Sequence, residues 1–211
     1  SPIPTDMASH LLLHELTIEG PGKQPAAITL KPGLNAIVGA TGTGKSYIFD
    51  AIDFCLGASE MQKDPTEAKG YKTAVLKLKV GGIDQYALSR NLSGGSITVN
   101  PCLDWNPQLL GGEVCSQKHD EKRSLSAWLL RQIGITGLKV FKNNRLERQA
   151  FSFRNVAHLA MVDENRVIAK HSPANVGQDR SNTSDQRAFN VAITGEGDET
   201  DLPEAPTKAK R

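Results

Sequence analysis

The sequence predicts an α/β fold, and three observations predict it. An apolar run at residues 34–38 (LNAIV) leads straight into a glycine-rich stretch at 39–46 (GATGTGKS). A helical pattern follows at 46–56, where Ile48, Phe49, Ile52 and Leu56 recur on one side before Gly57 ends it. Alternating runs at 73–80, 83–90 and 96–99, separated by Gly81-Gly82 and by a turn at 91–95, then give the pattern of an antiparallel meander.

Taken in order, Leu11–Glu19 (LLLHELTIE) alternates as a strand, and residues 27–30 form a second, short strand closed by Lys31-Pro32-Gly33. Residues 34–38 are expected to be a buried strand that delivers the glycine-rich loop. Residues 58–71 are polar, carry Pro65 and Gly70, and are expected to form an exposed loop. Beyond the meander, residues 124–133 (SLSAWLLRQI) read as a helix capped by Ser124 or Ser126, with Trp128 in the core. Phe153–Ala160 reads as another helix. The expected organisation is a disordered start or tag remnant at 1–9, one folded lobe at 10–195, and a disordered tail or artificial end at 196–211.

The 211 residues suffice for one domain with a substantial core. Apolar residues make up 38% and charged residues 23%, a globular composition, and no apolar run is long enough to span a bilayer. The opening SPIPTDMAS has no basic region before an apolar core, so a cytoplasmic protein without a membrane partner is expected. Cys55, Cys102 and Cys115 lack metal-ligand spacing and read as reduced core or semi-core thiols. The five histidines are scattered without a zinc pattern. A net charge of +2 neither requires nor excludes a polyanion. Locally, Lys139, Lys142, Arg145, Arg148 and Arg154 face one acidic residue, Glu147, which marks this stretch as a candidate contact with double-stranded DNA.

Residues 39–46 fit G-x-x-x-x-G-K-S throughout, between an apolar run and an amphipathic helix. Gly39, Gly42 and Gly44 let the backbone curl so that successive N–H groups point inward, with Ala40, Thr41 and Thr43 between them. Those donors and the helix N-terminus suit a polyphosphate. Lys45 is placed to reach the β and γ phosphates, the Ser46 hydroxyl to ligate Mg²⁺, and Tyr47 to pack beside the nucleotide. ATP with Mg²⁺ is therefore the expected ligand, although a loop of this kind reads phosphates and not the base.

Hydrolysis needs a carboxylate as well. Residues 159–164 (LAMVDE) resemble a Walker B strand, in which Asp163 would hold magnesium through water and Glu164 would act as base. Residues 92–95 (LSGG) match the signature letters of ABC-type ATPases but lie between two predicted strands, so they read as a hairpin turn.

The run LNAIVGATGTGKSYIFDAIDFCLG, the opening LHELTIEG and the F-x-L-G stretch at 54–57 resemble the first head segment of the SMC-like and double-strand-break-repair-like ATPases. The resemblance covers residues 11–100 well and 150–195 more loosely. It implies an ABC-type P-loop NTPase: the N-terminal lobe of an SMC-like head, with an antiparallel β-meander and a mixed sheet. It also implies that residues 158–168 (HLAMVDENRVI) form a Q-loop in which Glu164, or less readily Asp163, replaces the glutamine, a reading preferred to Walker B. The family's arginine after the P-loop helix has no match, since residues 58–72 hold Lys63, Lys69 and Lys72 and no arginine. Walker B, signature motif and D-loop would lie in a second head segment beyond a coiled coil. The implied partners are that C-terminal segment, a second head from a copy or related subunit, and double-stranded DNA. ATP hydrolysis is expected only from the completed, dimerised head, whose service in chromosome organisation, break repair or antiviral defence stays open. A self-contained P-loop kinase and a nucleotide-gated, non-catalytic module are the other two readings.

Overall fold

The computed structural model describes residues 10–61, 68–108, 111–119, 122–141, 147–162 and 182–197. The chain divides into two compact units, Ser1–Gly134 and Ile135–Arg211.

The first unit is built on one sheet. Its strands are β1 (Leu11–Glu19), β2 (Ala26–Thr29), β3 (Thr73–Val80), β4 (Asp84–Asn91), β5 (Ile97–Leu103), β6 (Asn106–Pro107) and β7 (Glu113–Cys115). They lie in the order β2-β1-β3-β4-β5-β6, with β7 also paired to β5. Strand β3 shows why the meander forms: Ala74, Leu76, Leu78 and Val80 are buried while the residues between them are partly exposed. The β4–β5 connection is a turn, as its glycines predict. Gly94 N–H donates to Asn91 O at 2.9 Å and Ser93 N–H to Asn91 Oδ1 at 2.9 Å. The LSGG letters thus close a hairpin and open no helix.

Two α-helices of this unit lie among the described residues. Helix α1 (Lys45–Cys55) packs on β1, β3 and β4 and buries Ala51, Phe54 and Cys55 completely. Removing a side chain the size of Phe54 from water contributes about 2–3 kcal/mol. Gly57 follows at φ 103°, a left-handed conformation that stops the helix as the sequence predicts. Helix α2 (Leu125–Gln132) is capped by Ser124, whose Oγ accepts from Ala127 N–H at 3.0 Å. Trp128 is in the core, its ring edge-to-face with Tyr86 at 4.9 Å between centroids.

Two expectations need correction. The mixed sheet is not found: among the described residues every strand pair of the sheet is antiparallel, and the single parallel contact is an isolated bridge between Ser116 and Ser124. The buried strand at 34–38 is not found either. This segment belongs to no strand, and Leu34 and Val38 are 98% and 92% exposed. Apolar composition alone does not make a strand, because the backbone needs a hydrogen-bonding neighbour. Among the described residues β2 pairs with β1, and no strand pairs with residues 34–38.

Cysteine behaves as the sequence predicts. All three thiols are free, Cys55 and Cys115 are buried, and burial pushes Cys55 up to about 12 and Cys115 up to about 11. A thiol reagent applied to the native chain is therefore expected to label the half-buried Cys102 first. Mass spectrometry should find Cys55 labelled only on unfolding, and early modification of Cys55 would contradict this packing.

In the second unit, β8 (Lys139–Phe141) and β9 (Arg148–Ala150) form an antiparallel hairpin. Helix α3 (Phe153–Ala160) has the bounds the sequence predicts, and Asn155 Oδ1 accepts from Ser152 N–H at 3.0 Å at its start. Helix α4 (Asn182–Thr194) packs on α3 and β8 through buried Ala188 and Val191. No helix among the described residues is long and apolar enough to cross a membrane.

Candidate nucleotide-binding site

The approach to the loop is shaped by one side chain. Asn35 accepts from Lys31 N–H at 2.8 Å and donates to Lys31 O at 2.7 Å and to Gly33 O at 3.1 Å. This side-chain closure turns the chain after β2 and points residues 36–38 toward Gly39.

The loop then reverses through Gly42 at φ 81° and Gly44 at φ 84°. A side chain at either position would strain a left-handed backbone. Gly44 is also the N-cap of α1, so the helix starts without a side-chain cap and without an acidic residue in its first turn. Its first intrahelical bond runs from Ile48 N–H to Gly44 O at 3.1 Å. The positive end of the helix is thus left for an external anion. Gly39 is restricted differently, since a Cβ there would lie 2.7 Å from Thr43 Oγ1.

The side chains of the loop close on its own carbonyls. Lys45 Nζ donates to Gly39 O at 2.7 Å and to Ala40 O at 2.6 Å, and Thr43 Oγ1 donates to Ala40 O at 2.7 Å. A phosphate oxygen can replace those carbonyl acceptors without unfolding anything, because the ammonium sits at the end of a flexible stem. Ser46, next along the helix, is exposed. Loop backbone, Lys45 ammonium and Ser46 hydroxyl therefore form a donor and ligand set that fits a magnesium-bound polyphosphate.

A cavity of about 520 Å³ opens beside the loop, lined by Gly42, Gly44 and Tyr47 on one side and by Ile28, Ala68 and Tyr71 on another. This volume lies within the range of small-molecule sites. Tyr71 is fixed there: its hydroxyl donates to Gln24 O at 2.8 Å, and a Cβ on Gly20 would come within 2.7 Å of Tyr71 Cα.

The far end of α1 is held by a residue the sequence reading missed. Arg90, on β4, is 1% exposed and stacks on Phe54 with its guanidinium 3.8 Å from the ring centroid. Its Nη1 donates to Phe54 O at 2.7 Å and to Ala58 O at 2.6 Å, and its Nη2 donates to Gln117 Oε1 at 2.6 Å. Burial pushes its pKa below the ordinary arginine value. A cation at the carbonyl end of a helix is electrostatically favoured. The signal was present in the sequence, because Arg90 stands at an inward register position, paired with buried Ala74 and Ile97.

Asp163 and Glu164, like Lys142 and Arg145, lie outside the described residues. Arg148 and Arg154 belong to the second unit. Arg148 lies over the Phe141 ring at 5.8 Å, and Arg187 of α4 joins it at 5.5 Å. Among the described residues there is no cluster of acidic, histidine or cysteine side chains that could hold a metal by itself.

A comparison with curated proteins finds no match. The family model described as an AAA domain matches residues 18–159, a span that holds the glycine-rich loop, the meander, α2 and most of α3.

Proposed function

The chain belongs to the AAA-domain family and is thus a nucleotide-binding, P-loop ATPase-like domain; on that premise we propose that it is the ATP-binding N-terminal half of an SMC-like head, one that dimerises on ATP and couples hydrolysis to DNA engagement. One observation carries this reading. The apolar lead-in at 34–38 reaches the loop as part of no strand, with Leu34 and Val38 exposed to water. A P-loop lead-in of that composition calls for strands on either side, and the described antiparallel sheet supplies none. The C-terminal head segment is the proposed source of those strands.

In this reading the chain's own residues bind and orient. The backbone of residues 39–44 and the uncapped start of α1 hold the phosphates. Lys45 leaves Gly39 O and Ala40 O for the β and γ phosphates, and Tyr47 and Tyr71 flank the nucleoside. Ser46 and Glu164 would hold Mg²⁺, which when bound neutralises phosphate charge. Glu164, or less readily Asp163, would stand where the resemblance implies a Q-loop glutamine, beside magnesium and the attacking water. The basic residues Lys142, Arg145, Arg148 and Arg154 are the proposed contact with double-stranded DNA. Phosphate contacts of that kind give sequence-independent, salt-sensitive affinity.

Steady-state ATPase measurements test the proposal. The 211-residue chain is expected to bind ATP yet turn it over at background rate. The natural polypeptide with both head segments is expected to hydrolyse it, faster with double-stranded DNA, and Lys45→Ala should silence it. Substantial turnover by the 211-residue chain alone would overturn the split-head reading in favour of a self-contained enzyme.

A further inference from the structure

Away from the P-loop, separate irregularities of the backbone converge on one pair of rings. The pairing of β1 with β3 slips between Leu13 and Glu15, which makes His14 a bulge residue. A bulge re-aims a side chain out of the regular alternation. The β5–β6 hairpin turns through Asp104 and Trp105 at φ 47° and 63°. Neither is glycine, and a left-handed tryptophan stores strain of about 1 kcal/mol or more. The turn is held there by a bond from Trp105 N–H to Gln85 Oε1 at 2.8 Å. The outcome is a parallel stack of Trp105 on His14, 3.7 Å between centroids and 7° between planes.

A cavity of about 410 Å³ adjoins this stack, with Lys31, Pro32 and Lys79 in its walls alongside His14 and Trp105. Nearby Lys77 is already engaged by Glu15 at 2.9 Å. Lys31 and Lys79 have no carboxylate partner among the described residues. An aromatic plane beside two uncompensated ammonium groups suits a ligand that is flat at one end and anionic at the other.

We propose that this cavity is a second binding site, for a nucleoside phosphate whose base extends the Trp105–His14 stack and whose phosphate is held by Lys31 and Lys79. Residues 39–46 contribute nothing to its walls, so the site does not depend on the P-loop's ligand. A free mononucleotide and the 5′ end of an oligonucleotide present the same chemistry.

Intrinsic fluorescence tests the proposal on the whole chain. Of the two tryptophans, Trp128 is 5% exposed, so a stacking ligand can quench only Trp105 by contact. The probes are AMP and a 5′-phosphorylated thymidine oligonucleotide, each titrated into the wild type and into Lys45→Ala. Saturable quenching is expected in both proteins alike. It should weaken by about tenfold or more in Lys31→Glu/Lys79→Glu and by about tenfold in His14→Ala. Quenching by AMP supports a free nucleotide as the ligand, and quenching by the oligonucleotide alone supports a strand end. The lysines are surface groups, and circular dichroism checks that the double variant keeps its fold. No quenching by either probe, quenching unchanged by the lysine substitutions, or quenching lost with Lys45→Ala would each overturn the second site.

Discussion

Replacing Arg90 by alanine is expected to lower folding stability by about 2–4 kcal/mol, through lost packing against Phe54 and the lost bonds of a charged donor. The guanidinium makes three hydrogen bonds, to Phe54 O, Ala58 O and Gln117 Oε1, and fills the space beneath Phe54. Alanine would take the Arg90 donor from Phe54 O, which keeps only its bond from Gly57 N–H, and from the half-buried Ala58 O, while the exposed Gln117 can turn to water; a buried group left unsatisfied costs about 1–3 kcal/mol. Arg90→Met restores most of the volume and none of the donors. It should therefore stay about 2 kcal/mol or more below wild type, which separates hydrogen bonding from packing. Arg90→Lys has a point charge instead of a fork and cannot serve helix end and Gln117 together, so it should fall between. Urea unfolding with an unchanged slope reads these differences directly. Because Arg90 grips the end of α1 opposite Lys45, the same variants should bind nucleotide more weakly. A wild-type urea midpoint for Arg90→Met would show that the network contributes little.

Lys45→Ala is expected to remove most of the stabilisation that ATP confers. A ligand at about 100 times its Kd stabilises the folded state by about 2.7 kcal/mol. Hydrogen bonds to a charged group are worth about 1.5–3 kcal/mol each, so loss of the ammonium should weaken ATP binding by about 10- to 150-fold. Without nucleotide the effect should be small. Lys45 there bridges only Gly39 O and Ala40 O on the exposed loop, where water can take its place. Thermal unfolding with and without Mg-ATP distinguishes the two contributions. An equal ATP-induced shift in both proteins would contradict the role given to Lys45.

Strands and helices with a strong period were legible from sequence. Leu11–Glu19, Thr73–Val80 and Phe153–Ala160 have the predicted bounds, since burial on one face writes itself into the pattern. The P-loop was equally legible, because Gly42 and Gly44 occupy positive-φ positions where other residues are strained. Residues 34–38 misled because composition records the wish for a partner and not its presence. The β8–β9 hairpin went unseen because Lys139–Phe141 and Arg148–Ala150 are too short to establish a period. Helix α4 was missed for a related reason: Ala188 and Val191 are buried while Phe189 and Ile193 are exposed, so its apolar residues mark no single face. Arg90 was missed because charge is ordinarily read as surface, whereas here strand register turns it inward.

The uncovered stretch before the loop also bears on colloidal behaviour. Leu34 and Val38 meet water on a segment with which no strand among the described residues pairs. Such an edge is adhesive toward any other extended peptide, a second copy included. On the proposed split-head reading, material made without the C-terminal head segment would clump at high concentration and recover when that segment is supplied. Solubility then becomes a measure of stoichiometry, and light scattering against concentration would report how well the edge is sheltered.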